Sequence, residues 1–219
     1  MKFQGILFDL DGTLIRSMED HCEAWQAAFR DFGIEMRPDD YYSLEGLKLI
    51  NVAETIARQY GKNDFPQNEV VKKKEEYYLQ NAARKAPEFY PGVREFLPEL
   101  QARKIPTAIV TAGVRKRIVE TLSEDFLKLF SAIITGDDYE SGKPSPDPFL
   151  KGAEALGLLP ELCIAVENAP LGVKSAKSAG SYCVAISSTV KPELLQEADL
   201  VIASFGELSG TEPVRRLLS

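Results

Sequence analysis

Histidine is nearly absent: His21 is the only one among 219 residues. A Ser-His-Asp triad or a histidine-based zinc site therefore has almost nothing to be built from. Cysteine is scarce and odd in number. Cys22, Cys163 and Cys183 lack the paired spacing of a metal knuckle or a disulfide framework, and free thiols fit a reducing compartment. No apolar run approaches the ~20 residues of a membrane-spanning helix. The short run Gly5-Ile6-Leu7-Phe8 is too brief for a signal peptide and passes directly into charge, so the cytoplasm is the expected location. Positive charge is in deficit, with 26 Lys and Arg against 33 Asp and Glu, a net charge of −7. That balance argues against a nucleic-acid partner or an anionic membrane surface. It leaves anionic small molecules open, because a local cation reverses the field inside a site. Internal repeats and low-complexity segments are also missing. What remains is an ordinary globular composition, 44% apolar and 27% charged, on a chain long enough for one or two domains.

The first strong signal is Phe3 to Leu14, FQGILFDLDGTL. An apolar strand ends abruptly in Asp9-Leu10-Asp11-Gly12-Thr13. If strand geometry persists, Asp9 and Asp11 share one side and Leu10 turns away. Two like charges this close call for a compensating cation, and Gly12 permits the sharp turn. On these residues alone, a catalytic site, a calcium-loop fragment and an acidic turn all remain open.

Helical spacing then takes over. Ser17 reads as the N-cap of a helix, with Asp20 at the capping-box position; Cys22, Trp25, Ala28, Phe29 and Phe32 form its apolar face, and Gly33 stops it. Further helices are expected over Asp39–Leu44, Leu47–Tyr60 and Gln67–Arg84. Strand signal is missing from about Arg16 to Ala86. Beyond that, strand and helix alternate. Ile105–Val110, Ala132–Thr135, Cys163–Val166, Tyr182–Ile186 and Leu200–Ile202 read as strands. Helices are expected from Val93 to about Arg103, over Val114–Leu122, from Asp147 (as N-cap) to about Leu156, and from Pro170 to Gly180. Such alternation predicts an α/β fold, a doubly wound, Rossmann-like parallel sheet. The expected division is a core of residues 1–15 and 87–219 with an all-helical cap, 16–86, inserted after the first strand. Linkers at Ile15-Arg16 and Ala86-Pro87 would let the cap hinge open for substrate and close to exclude water.

Three later strand ends repeat the pattern of a polar residue after an apolar run. Thr111 precedes Ala112 and Gly113 at an expected helix start, an anion cradle of one hydroxyl and two N–H groups. Lys143 sits in the proline-tightened loop Ser141-Gly142-Lys143-Pro144. Glu167-Asn168 follows the next strand. In order and in strand context, these residues resemble the four motifs of the haloacid dehalogenase (HAD) superfamily: the Asp-x-Asp pair, a Ser or Thr, a Lys and a terminal acidic pair. The phrases ITGDD, GKPSPDPF and ENAPLGV, with Ala179-Gly180 beyond, are similar to the subfamily that contains β-phosphoglucomutase and small-sugar phosphatases.

The resemblance implies phosphoryl transfer to and from a small phosphate ester. Asp9 would attack phosphorus and form an aspartyl phosphate, and Asp11 would carry the proton of the leaving and entering oxygens. Lys143 would neutralise charge; Thr111, with the Ala112 and Gly113 amides, would hold phosphate oxygens. The implied cofactor is Mg²⁺, on Asp9, the carbonyl of Asp11, Glu167 and Asn168. Asn168 departs from the usual Asp, and Glu167 or Asp138 is expected to make up the lost charge. His21 lies where a mutase histidine faces the site. The cap loop Leu44-Glu45-Gly46-Leu47-Lys48-Leu49-Ile50 lacks the arginine with which mutases grip a second phosphate; Glu45 is repulsive there and Lys48 is only a point charge. Lys72-Lys73-Lys74 reads as a solvated helix face from which one member can reach the site. These features favour a phosphatase, with a phosphosugar mutase and a catalytically dead binding module as alternatives. The core can stand as a monomer.

Overall fold

The computed structural model describes residues 3–82 and 85–219. Six strands, β1 (Gly5–Phe8), β2 (Thr107–Val110), β3 (Ala132–Ile134), β4 (Cys163–Glu167), β5 (Tyr182–Ile186) and β6 (Leu200–Ile202), form one sheet in the order β3-β2-β1-β4-β5-β6. Every pairing is parallel. Strand β1 is where the order reverses direction. Such a switch point opens a crevice at the carboxyl ends of the flanking strands.

The side-chain period of two sorts the strands between two cores. Ile6, Phe8, Ile109 and Val166 pack on one face with Val93, Phe96 and Val214. These come from α5 (Val93–Ala102) and α10 (Glu212–Leu218). Leu7, Ala108, Val110 and Ala165 pack on the other face with Phe149, Ala153 and Val173, from α8 (Asp147–Ala155) and α9 (Pro170–Ser178). Ile6, Leu7 and Phe8 are fully buried, and each contributes about 1.5–3 kcal/mol by leaving water. Two short helices, α6 (Arg115–Thr121) and α7 (Glu124–Leu127), lie between β2 and β3.

Among the described residues, four helices come between β1 and α5: α1 (Met18–Asp31), α2 (Pro38–Tyr42), α3 (Leu49–Gln59) and α4 (Gln67–Ala82). They enclose their own apolar cluster around Trp25, Phe29, Ile56 and Val70. The sequence expects the last of these helices to reach Arg84, which lies outside the described residues. The two connections to the sheet run side by side: Arg16 N–H donates to the Glu88 carbonyl at 2.8 Å and Tyr90 N–H to that of Leu14 at 3.1 Å. Among the described residues no helix is long and apolar enough to cross a membrane.

Two helix caps differ from expectation. Ser17 occupies the cap position of α1 but makes no side-chain capping bond; its hydroxyl is drawn instead to the carboxylate of Asp11, 2.7 Å away. Asp147 is the first residue of α8 rather than its cap, which is Pro146. Ser145 holds that turn, accepting the Asp147 N–H.

Candidate active site

Three strand ends meet at the crevice. Strand β1 delivers Asp9 and, one turn on, Asp11; Gly12, at φ +83°, turns the chain away. Strand β2 delivers Thr111 and β4 delivers Glu167 and Asn168. Lys143 arrives from the loop between β3 and α8 and lies fully within the protein. Its Nζ donates to Asp9 Oδ1 at 2.7 Å and to Glu167 Oε1 at 2.6 Å. Burial alone would lower the lysine's affinity for its proton, but the two carboxylates outweigh it and hold the ammonium charged. Glu167 Oε2 accepts the N–H groups of Asn168 and Ala169, both at 2.7 Å, so its orientation is fixed from both ends.

Asp9 is pushed up to about 7, first by burial, against the pull of Lys143 and with the push of Glu167 and Asp11. Asp11 goes the opposite way. Burial would raise it, yet Arg117 and then His21 hold it well below the usual carboxylate range. Arg117 grips it with a fork, Nη1 to Oδ1 at 3.1 Å and Nη2 to Oδ2 at 2.6 Å. His21 is buried with Nε2 at 3.0 Å from Asp11 Oδ1 and Nδ1 at 2.9 Å from Lys74 Nζ. Its ring stacks on Tyr78 with centroids 4.2 Å apart. Burial, then Lys74, lowers His21 to about 4. The imidazole is therefore neutral, and the network assigns its proton to Nε2, donating to Asp11 while Nδ1 accepts from the lysine. Of the lysine run, Lys74 is the member that reaches the site.

Thr111 Oγ1 donates to Asp11 Oδ2 at 3.4 Å and accepts the N–H of Gly113 at 3.1 Å. The expected cradle is rearranged accordingly: the helix begins only at Arg115, and the Gly113 amide is turned onto the Thr111 hydroxyl.

Asn168 Oδ1 accepts from Thr13 at 2.7 Å; its amide donates to Glu45 and, at 2.9 Å, to Thr189. Glu45 thus enters the site from the loop after α2, and burial first, then Glu167, pushes it up to about 8. Asp138, expected as a source of extra charge, is committed elsewhere, accepting from Thr135 N–H and Oγ1 and from Arg115, each at 2.7 Å. Lys48 also faces away, donating to the Tyr139 carbonyl at 2.5 Å. Sequence reasoning read Ser17 only as a helix cap, passed over Arg117 and Thr189, and took Glu45 for a repulsive bystander.

Among the described residues, no three His, Cys, Asp or Glu side chains converge as a ready-made metal cluster. The carboxylate and amide side chains that line the cavity together are Asp9, Asp11, Glu45, Glu167 and Asn168. Two buried carboxylates here, Asp9 and Glu45, are held high partly by their acidic neighbours. An all-oxygen set with surplus negative charge fits a hard divalent cation. The cavity over these groups measures about 50 Å³, well below the ~300–1,000 Å³ of a typical ligand pocket. The helical insert is thus closed over the site.

A sequence model of haloacid dehalogenase-like hydrolases matches residues 6–186. The chain is 34% identical to validoxylamine A 7'-phosphate phosphatase of Streptomyces hygroscopicus subsp. limoneus, over 92% of this chain and 94% of that protein. It is 31% identical to hexitol phosphatase A of Escherichia coli, over 97% and 96%. In fold it resembles the crystal structure of β-phosphoglucomutase from Clostridium difficile, with a TM-score of 0.86 at 22% identity, over 99% of each chain.

Proposed function

The chain belongs to the haloacid dehalogenase-like hydrolase family, and we propose that it is a Mg²⁺-dependent phosphatase. It would release inorganic phosphate from a small phosphorylated metabolite through an aspartyl-phosphate intermediate. The observation that carries this reading is the buried Lys143 ammonium shared between Asp9 and Glu167 at the switch point of the sheet. Two relatives named as phosphatases, each similar along nearly its whole length, support it.

Lys143 holds Oδ1 of Asp9, so Oδ2 is the oxygen that attacks phosphorus. The bond to the leaving oxygen breaks as that oxygen takes a proton from Asp11, which picks the proton up once substrate loosens the Arg117 fork that holds the carboxylate ionised. A water then attacks the phosphoryl group on Asp9, Asp11 takes the water's proton, and phosphate leaves with Asp9 restored. Thr111 holds a phosphoryl oxygen, and Lys143 offsets the charge that spreads over the transferring group. Asp9, the Asp11 carbonyl, Glu167 and Asn168 would hold Mg²⁺, which supplies the positive charge that keeps Asp9 ionised and screens the phosphoryl oxygens. His21 fixes the orientation of Asp11.

Residues 16–86 act in this reading as a cap that hinges on the paired connections near Arg16 and Glu88. It must open to admit substrate, because the closed cavity is too small for a sugar phosphate. The phosphatase reading is favoured over a mutase by the cap loop, which presents Glu45 to the site and turns Lys48 away. The test is a Mg²⁺-dependent screen of small phosphate esters, with β-glucose 1-phosphate assayed with and without a bisphosphate primer. Phosphate release that falls about 10³-fold or more in Asp9→Asn is expected. Isomerisation outrunning phosphate release would overturn the choice.

A further inference from the structure

Beyond holding Asp11, Arg117 has no part in the chemistry just described, yet it is among the largest fully buried side chains of the protein. It lies on the core helix α6, not on the cap, and it lines the site cavity. Its fork covers both oxygens of Asp11. Oδ1 also accepts from Ser17 at 2.7 Å and His21 at 3.0 Å, and Oδ2 from Thr111 at 3.4 Å. A proton carrier must turn one oxygen to the leaving group, and here neither oxygen is free to turn.

Resting on the phosphatase reading, we infer that Arg117 is a specificity residue that binds a second oxyanion, a carboxylate or a phosphate, on the leaving-group side of the substrate. By taking the guanidinium, that anion frees Asp11 Oδ2 for the leaving oxygen.

Three observations carry this. First, among the described residues Arg117 Nε is buried without a hydrogen-bond partner, so the guanidinium, which lines the cavity, keeps an unspent donor; a buried donor left unmade costs about 1–3 kcal/mol. Second, a buried guanidinium can leave one carboxylate only for another anion, since a neutral hydroxyl would leave its charge uncompensated. The nearby Lys74 is already balanced by Glu75, at 2.8 Å, so it is Arg117 that the leaving group meets. Among the described residues, the remaining acids of the cavity, Asp9, Glu45 and Glu167, are linked to one another through Lys143 and Asn168 and not to Arg117. The site is polarised, with surplus negative charge where the cation would sit and the fork on the other side of Asp11. Third, the chain makes room for the fork. A Cβ at Gly113 would lie 1.9 Å from Arg117 Nη2, so any other residue there would push the guanidinium off Asp11.

The experiment compares kcat/KM, with Mg²⁺, for three esters: phosphoglycolate, a ketose bisphosphate and glycerol 3-phosphate, whose leaving group is uncharged. The wild type is expected to prefer one or both anionic esters over glycerol 3-phosphate. Arg117→Ala should cut that preference by about 10- to 100-fold, chiefly through KM, the loss of one charge-assisted contact. Arg117→Lys should restore part of it, as a charge without a fork. The arm that falls identifies the anion as carboxylate or phosphate. Gly113→Ala, which displaces the fork without removing it, should reduce the same ratio and serves if Arg117→Ala fails to fold. A wild type that prefers glycerol 3-phosphate, or variants that lower all three esters equally, would overturn the inference while leaving the phosphatase reading intact. A wild type that hydrolyses none of the three or any other ester overturns both.

Discussion

At the scale of single residues, Asn168 sets the character of the proposed cation site. Its amide reaches Glu45 and Thr189 while its oxygen faces Thr13. A carboxylate at this position would confront Glu45, which burial already holds at about 8. Asn168→Asp adds one negative charge beside the oxygens proposed to hold Mg²⁺. We predict Mg²⁺ affinity raised about 10-fold, with activity retained. Isothermal titration of the purified variant measures it. Binding weaker than wild type would mean that the amide's grip on Glu45 matters more than the charge.

At the scale of elements, the joint between β4 and α9 decides whether Lys143 is held. Glu167 leaves the strand and points back under the helix, and a Cβ on Gly172 would lie 1.8 Å from its Oε1. Gly172→Ala must therefore displace Glu167 or lift α9 from the sheet. Overpacking of this kind costs about 1–3 kcal/mol, and each kcal/mol lowers the melting temperature by roughly 2–4 °C in a chain of this size. Thermal denaturation followed by circular dichroism should show the drop, together with lost phosphatase activity. Unchanged melting would mean the joint has slack.

The same joint shows what the sequence made legible. Strands β1, β2, β4 and β5 are short contiguous apolar runs, and a parallel sheet buried on both faces demands that pattern. The ends of β1, β2 and β4 announced Asp9, Thr111 and Glu167 because a polar residue after such a run has no place in a core, and the proline-tightened loop after β3 announced Lys143. Ser17 holds the expected cap position, but its side chain was misread because the hydroxyl turns to donate to a carboxylate six residues back instead of accepting a helix amide. Arg117 was passed over because it lies inside the expected helix Val114–Leu122 beside Arg115 and Lys116, with nothing in the residue pattern to single it out; only the fold shows that it is buried. Asp138 looked available, but a turn of four residues closes it onto Thr135.

At the scale of the whole molecule, the acidic site ties stability to pH and, with the proposed Mg²⁺, to cation. Asp9 rises to about 7 and Glu45 to about 8 on folding, so the folded state binds these protons more tightly than the unfolded chain does. Their contribution is complete at low pH and is lost as pH rises through those values. His21, lowered to about 4, works in the opposite sense, but its effect ends near its unfolded value of 6.5. Asp11, held well below its unfolded value of 3.8, contributes throughout this range. Between about pH 6.5 and 8 the protein in chelator should therefore melt at progressively lower temperature. Mg²⁺ should reverse the trend, with a larger shift at pH 8 than at pH 6.5. Melting curves in EDTA and in Mg²⁺ across that range test it. A Mg²⁺ shift that shrinks as pH rises would contradict the proposed ligand set.

The central claim is that Asp9 takes the phosphoryl group before water does. Two successive in-line displacements restore the configuration at phosphorus, whereas one inverts it. Hydrolysis of a phosphate ester made chiral at phosphorus with oxygen isotopes and sulfur, run with Mg²⁺ in isotopically labelled water, reads this directly. Retention of configuration is predicted. Inversion would show that water attacks the substrate itself, and Asp9 would then not be the nucleophile.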